Sequence, residues 1–328
     1  MPEIPRYTIE QETIESDPEY IFGTRLVSLL SDAGHEAYFV GGFCRDLVLG
    51  HPSKDIDIAT SASPEETLRV LTESDVAATL APAAEAYPVI VAKSEIDREP
   101  VTIEIATFRR DVYRQNGPSR RPDEMMPGDL LDDAARRDFT VNALYFDPIA
   151  HQILDPTDHG IRDAEDKIIR FIGEPRRRIE EDRLRILRAI RFKNRFGFDY
   201  DETTAKAVIN ARKEVLTLSP HRLRQELTRM LQLPRRGDVI RDLDDFGILP
   251  LILPEFAAGE MVEQPPQFHS EGDVFTHQLL VMEHLPDHPD PILIWGALLH
   301  DIGKPQTWTV DPDGRIHFNG HAEVGAEL

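Results

Sequence analysis

Two aspartates one residue apart, Asp55 and Asp57, lie in the alternating run Asp55-Ile56-Asp57-Ile58-Ala59. On a strand, side chains at i and i+2 leave from the same face, so both carboxylates project together. Close carboxylates repel, and a divalent cation relieves the repulsion. Mg²⁺ suits such a pair, with phosphates and water in its other positions. Alone, an Asp-x-Asp pair is more often a solvated strand end, so its surroundings decide. Glu104 stands between Ile103 and Ile105, which point the other way. It is either a third ligand or positioner, or an edge-strand charge that blocks aggregation. Gly41-Gly42 falls between a strand and a helix, where bare backbone N–H groups can approach a phosphate. Arg45 follows within a turn, to neutralise a triphosphate or to make a surface ion pair.

Three further groups could do chemistry. On a continuous helix over 179–196, Asp182 and Arg185 are three apart and share a face. A carboxylate accepts from an exocyclic amine and a guanidinium donates to a ring nitrogen or carbonyl. The pair matches cytosine or adenine, whereas UTP and GTP lack the amine there. The plainer alternative is an i,i+3 ion pair on a solvated helix. Arg222 and Glu226 are i,i+4 and are expected to pair with each other; Arg222 or Arg224 could instead meet an RNA backbone. Finally, His277 and His300-Asp301 combine imidazoles with a carboxylate, a sound set for a divalent metal. His321 could add a ligand, and metal-free packing of these histidines is the alternative.

The elements that must position these groups are legible in outline. Asp17-Pro18 reads as a helix cap, with Ile21, Leu26, Leu29 and Leu30 following and Gly34 past the end. Residues 37–40 read as a buried strand, Ser63-Pro64-Glu65-Glu66 as a helix start, and 89–92 and 101–107 as strands. Alternation of strands and helices to about Phe146 makes the first half α/β or α+β. Asn116-Gly117-Pro118, Pro122 and Pro127-Gly128 predict a mobile loop over 109–135 with little regular structure. Beyond residue 163 the pattern is helical, clearest over 179–196, 203–216, 220–231, 239–246, 275–285 and 291–300. Glu263-Gln264-Pro265-Pro266 reads as a linker.

A chain of 328 residues is long for one core, which predicts two to four domains. No apolar run approaches the roughly 20 residues of a membrane helix. The acidic, polar N-terminal stretch is unlike a secretory signal, and one cysteine excludes an intramolecular disulfide and a cysteine-rich zinc site. A cytoplasmic location is expected. The net charge of −22 argues against a generic nucleic-acid coat. Residues 170–195 nevertheless hold ten Lys/Arg against four acids, a local excess of +6 that could hold RNA.

Three motifs in order carry a resemblance. The run Phe39-Val40-Gly41-Gly42-Phe43-Cys44-Arg45-Asp46-Leu47, continued by Lys54-Asp55-Ile56-Asp57, resembles the first motif of the bacterial-type (class II) CCA-adding enzymes and poly(A) polymerases. Arg136-Arg137-Asp138-Phe139-Thr140-Val141-Asn142 resembles the second, and Glu181-Asp182-Arg183-Leu184-Arg185 the base-selecting motif. Cys44 replaces a small apolar residue, His159 stands where glycine is frequent, and residues 113–122 match the family's flexible loop only loosely. Ala297–Pro305 looks like the HD metal-dependent phosphohydrolase superfamily. That superfamily also needs a later aspartate, so with the sequence ending at Leu328 the HD segment is expected to be either truncated or vestigial.

The resemblance implies an α+β fold: a polymerase-β-like head with a mixed sheet, an all-α neck and body, and a partial helical HD domain. The boundaries expected are 1–165, 166–262 and 263–328. It implies CCA addition to the tRNA 3′ end from CTP and ATP. Asp55 and Asp57 bind two Mg²⁺ ions, with Glu104 as third carboxylate. Gly41, Gly42 and Arg45 hold the triphosphate, and Asp138, with Arg137 beside it, reads the ribose 2′-hydroxyl. Glu181, Asp182 and Arg185 select the base, and Asn142 and Arg188 complete the nucleotide-binding set. His277, His300 and Asp301 are the HD metal candidates. The alternatives are a poly(A) polymerase or A-adding enzyme of the same family and, more remotely, an HD-type phosphohydrolase.

Overall fold

The computed structural model describes residues 4–8, 16–50, 55–81, 88–96, 98–113, 122–267 and 269–328. Contacts divide the chain into two units, 1–181 and 182–328. Among the described residues no helix is long and apolar enough to cross a membrane.

Among the described residues the main strands of the first unit are β1 Arg6–Thr8, β2 Ala37–Val40, β3 Asp57–Thr60, β4 Ala77–Leu80, β5 Val89–Ile96, β6 Glu99–Thr107, β7 Arg109–Val112, β8 Glu124–Pro127, β9 Tyr145–Asp147 and β10 Gln152–Leu154. Eight form one mixed sheet in the order β1-β10-β9-β2-β3-β6-β5-β4. Its β3–β6 pair is parallel and β2–β3 antiparallel. Helices α1 (Pro18–Asp32), α2 (Gly42–Val48), α3 (Pro64–Glu73), α4 (Leu130–Arg136), α5 (Gly160–Glu165) and α6 (Pro175–Glu181) complete the unit.

Local sequence explains the starts of these helices. Asp17 caps α1 by accepting from the Glu19 amide at 2.9 Å, and Pro18 takes the first turn. Ser63 and Glu66 form a reciprocal capping box on α3. Alternation along the strands then divides the apolar residues between two faces. Phe39 and Ile58 join Phe22, Leu26, Phe43 and Ile105 in one core, whereas Val40 and Ala59 join Phe108, Leu130 and Tyr145 in the other. Gly23 lets α1 lie close, because a Cβ there would stand 2.8 Å from the Phe39 ring.

The stretch 109–135 departs from the expected loop. Strands β7 and β8 pair as an antiparallel hairpin, and Asp129 and Asp132 cap α4 reciprocally. The glycine and proline signals fall largely between the two strands, and residues 114–121 lie outside the described ones.

The second unit is helical: α7 Arg185–Phe196, α8 Glu202–Ala211, α9 Pro220–Leu231, α10 Arg236–Asp245, α11 Leu249–Ile252, α12 Pro254–Ala257, α13 Val274–Glu283, α14 Pro291–Leu299, α15 Lys304–Thr307 and α16 His321–Glu327. The single helix expected over 179–196 is broken: α6 ends at Glu181 and α7 starts at Arg185. Arg236, only 1% exposed, ties this unit together. It donates to the carbonyls of Leu231, Met282, Leu285 and Pro286, beyond or near the C-terminal ends of α9 and α13. A cation there meets the negative ends of the helix dipoles.

Candidate functional site

Asp55 precedes β3 and Asp57 begins it; both are exposed while Ile56 between them is 5% exposed. The parallel pairing of β3 with β6 puts Asp57 opposite Glu104. Ile103 and Ile105 are turned into the core, so Glu104 leaves from the open face. Strand β6 lies inside the sheet between β3 and β5, which overturns the edge-strand alternative for Glu104. Partial burial raises Asp57 to about 6, Glu104 and Asp55 push the same way, and Arg137 opposes them. Mutual repulsion of this kind marks carboxylates that share one small region.

Gly41 borders this group. Its φ of +77° favours glycine, and a Cβ there would lie 3.7 Å from Asp57 Oδ2. Beside Gly42 runs the Arg45 guanidinium, 3.3 Å from where a Cβ would be. The ion pair considered above is formed, but in the interior: Arg45 is 3% exposed, pairs with Asp46 at 2.7 Å and donates at 2.8 Å to Asn142 Oδ1. Asn142 in turn donates to Asp138 Oδ1 at 3.0 Å. One polar chain, Arg45–Asn142–Asp138, thus joins the first motif to the second. Cys44, packed behind this corner, donates to the Phe39 carbonyl, and burial pushes its thiol up to about 12.

Arg137 is held from below. Asp133, fully buried, accepts from Arg136, from Arg137 at 3.0 Å and from the Tyr145 hydroxyl at 2.7 Å. Burial works against the Arg137 charge, but Tyr145 and Asp133 outweigh it and hold the guanidinium above its ordinary range. Arg178 bonds the carbonyls of Arg136 and Arg137 and pairs with Glu181. Sequence reasoning missed Asp133 and Arg178. Arg178 had a local signal, standing three residues before Glu181, whereas the partners of Asp133 include Tyr145, 12 residues away.

In the second unit, Asp182 and Arg185 do not share a helical face. Asp182 lies in the break; its carbonyl accepts from the Arg185 amide at 3.0 Å and its Oδ1 from the Leu184 amide at 3.1 Å. The expected Arg222–Glu226 pair is also absent. Arg222 meets Asp182 at 3.0 Å, and Glu226 takes Arg191 at 2.6 Å. Ion-pair choice here follows tertiary packing, which the i,i+4 rule cannot see. Arg188 lies over the Phe192 ring at 5.2 Å.

The structure brings His277, His300 and Asp301 together. His300 Nε2 lies 3.1 Å and His277 Nε2 3.6 Å from Asp301 Oδ2, and His321 Nε2 lies 3.7 Å from Oδ1. Lys304 contacts the same Oδ2 at 2.7 Å. Glu271, another residue missed, bridges His269 at 3.0 Å and His277 at 2.7 Å. Ligand atoms of His277, His300 and Asp301 are close enough to hold one ion.

Comparison with known proteins bears on the head and on part of the helical unit. The model for the poly A polymerase head domain matches residues 37–170, and that for a probable RNA and SrmB-binding site of polymerase A matches 197–259. A CCA-adding enzyme of Lactobacillus helveticus is 36% identical over 280 residues, 82% of this chain and 65% of the relative. An A-adding tRNA nucleotidyltransferase of Deinococcus radiodurans is 37% identical over 213 residues, 62% of this chain and 48% of the relative. The structure of the Bacillus stearothermophilus CCA-adding enzyme in complex with CTP matches with a TM-score of 0.64 at 25% identity, covering 88% of this chain and 65% of that one. The chain spans less than two thirds of the length of these relatives. By its sequence, its mixed-sheet head and both domain models, the chain belongs to the poly(A) polymerase head-domain family, alongside the CCA-adding enzymes.

Proposed function

We propose that the chain is a CCA tRNA nucleotidyltransferase, adding C, C and A to the tRNA 3′ end from CTP and ATP. The observation that carries this is the alignment of Asp57 with Glu104 on neighbouring parallel strands, with the Asp57 proton held to about 6. The CCA-adding relatives and the CTP complex of one of them support it. The RNA 3′-oxygen forms the new bond to the α-phosphorus as the bond to pyrophosphate breaks. Hard, crowded oxygen donors suit Mg²⁺; Asp55 and Asp57 would hold two such ions, with Glu104 as third carboxylate. Bound there, the metal supplies Lewis-acid stabilisation of the attacking and leaving oxygens.

The remaining roles belong to the chain's own groups. Gly41 and Gly42 offer backbone N–H groups to the triphosphate, and Arg45 acts there through its charge while fixing Asn142. Asp138, with Arg137 beside it, meets the ribose 2′-hydroxyl. Glu181, Asp182 and Arg185 select the base, and Arg188 belongs to the nucleotide-binding set. The parts are a head over 1–165, a neck and body over 166–262 that meets the tRNA acceptor arm, and an HD-like segment over 263–328. His277, His300 and Asp301 would take a divalent ion in that segment. The protein works in the cytoplasm.

Purified chain is incubated with Mg²⁺ and tRNA transcripts ending before CCA, after C and after CC, with CTP, ATP or both. Growth by CCA followed by arrest, lost in Asp55→Ala, is the expected result. The Deinococcus radiodurans relative favours a second reading, addition of A alone, which that assay would reveal as growth only on the CC-ended transcript. Runaway tails on any RNA would move the chain to the poly(A) branch. Metal affinity is predicted to fall with pH below about 6, roughly tenfold per unit, because a protonated Asp57 is no ligand. Calorimetric Mg²⁺ titrations above and below that pH check this; equal affinities would remove Asp57 from the ligand set.

A further inference from the structure

Asp182 is gripped from two sides. The Leu184 amide donates to its Oδ1 at 3.1 Å from within the break between α6 and α7. From 40 residues further on, one nitrogen of Arg222, Nη2, sits astride the carboxylate at 3.0 Å from Oδ1 and 3.1 Å from Oδ2. Arg222 stands in the first turn of α9, where Ser219 caps the helix and accepts from the Arg222 amide. Each carboxylate oxygen offers two lone pairs. Oδ1 uses both, on Leu184 and Arg222, whereas Oδ2 uses one, on Arg222. One acceptor position on Oδ2 is therefore left, and its direction is set by the other contacts. The Asp182 and Arg222 side chains are 25% and 28% exposed, so solvent reaches the pair.

We propose that Arg222 is a positioning residue for base selection, holding the Asp182 carboxylate so that Oδ2 accepts from the exocyclic amine of an incoming cytosine or adenine. This rests on the base-selecting role proposed above for Asp182. Uracil and guanine put a carbonyl oxygen where cytosine and adenine carry the amine, and a fixed acceptor repels it. A carboxylate free to turn could swing away and tolerate that oxygen. Fixing the acceptor in advance therefore sharpens the choice more than it strengthens binding. The pair is half-buried and solvent still reaches both groups, so its loss should lower the melting temperature only modestly. A positioning role and a merely structural one thus predict different readouts.

The test compares Arg222→Gln and Arg222→Lys with the unchanged protein. Glutamine removes the charge and suits a helix; lysine restores a cation that can again reach the carboxylate. The readouts are kcat and KM for CTP and UTP on a tRNA transcript lacking CCA, CTP and UTP binding, and the melting temperature. Arg222→Gln is expected to lower the CTP-over-UTP preference on the order of ten- to a hundredfold, the scale of a displaced positioning group. Melting should fall only modestly and Arg222→Lys should recover part of the preference. Arg241→Met is the control: it breaks a pair of the helical unit outside the motif, Arg241–Glu283 at 2.6 Å, and should leave the preference alone. An unchanged preference in Arg222→Gln, with a loss in Asp182→Asn, overturns the role of Arg222 alone. An unchanged preference in Asp182→Asn overturns the base-selecting reading itself. Should Arg222→Gln melt early, the binding ratio measured well below its melting point decides in the same way.

Discussion

Asp57→Asn is expected to slow nucleotide addition about a thousandfold or more, because the metal's contribution is several kcal/mol and each tenfold is about 1.4 kcal/mol. An amide keeps the shape of the side chain but not the charge that a divalent ion needs. The fold should survive, since Asp57 is exposed at the start of β3 and its backbone pairing is untouched. The metal-free protein should even melt higher, because a charge that Glu104 and Asp55 repel has gone. Single-turnover rates with saturating CTP, and melting with and without Mg²⁺, measure both halves. A variant that retains more than about a tenth of the rate would show that Asp57 holds no essential ion.

Asp133→Ala is expected to destabilise the head by about 3–5 kcal/mol, the scale for breaking a buried ion pair from one side. Asp133 has no exposed surface and serves Arg136, Arg137 and Tyr145 at once. Burial alone would raise its pKa, but Arg137, Arg136 and Tyr145 outweigh it and hold the carboxyl below the usual range. A depressed acid stabilises the fold above its unfolded pKa and loses that contribution as pH falls through the folded value. Solvent reaching Arg136 and Arg137, whose side chains are 21% and 15% exposed, trims the loss from the upper end. Many domains possess only 5–15 kcal/mol in all, so the change is large. Urea unfolding followed by circular dichroism decides it. A loss under about 1 kcal/mol would mean that the two guanidiniums find water instead.

Much of the head was legible in the sequence because its signals are local. Asp17-Pro18-Glu19 and Ser63-Pro64-Glu65-Glu66 contain both the cap and its partner, and both helices start where they should. The alternation around Asp55 and Asp57 carried the face on which they stand. That Glu104 aligns with Asp57 rests on strand order, which no window of sequence contains. The hairpin of β7 and β8 was illegible because its strands are four residues long and bracket a run of turn formers. The break at Asp182 was hidden for the opposite reason. Arg, Leu, Glu and Ile around it all favour helix, and the interruption comes from the Asp182 side chain bonding the Leu184 amide. Arg222 was misassigned because a helix neighbour and a partner 40 residues away look equally plausible to a spacing rule.

Cys44 gives the head a timekeeper. It is the chain's one sulfhydryl, wholly buried, and its high pKa leaves almost no thiolate at neutral pH. An alkylating reagent therefore finds nothing to attack while α2 stays against the sheet. Any modification counts the moments at which the helix lifts. Since Gly42 and Arg45 flank that sulfur on the same helix, whatever seals this corner should also slow the clock.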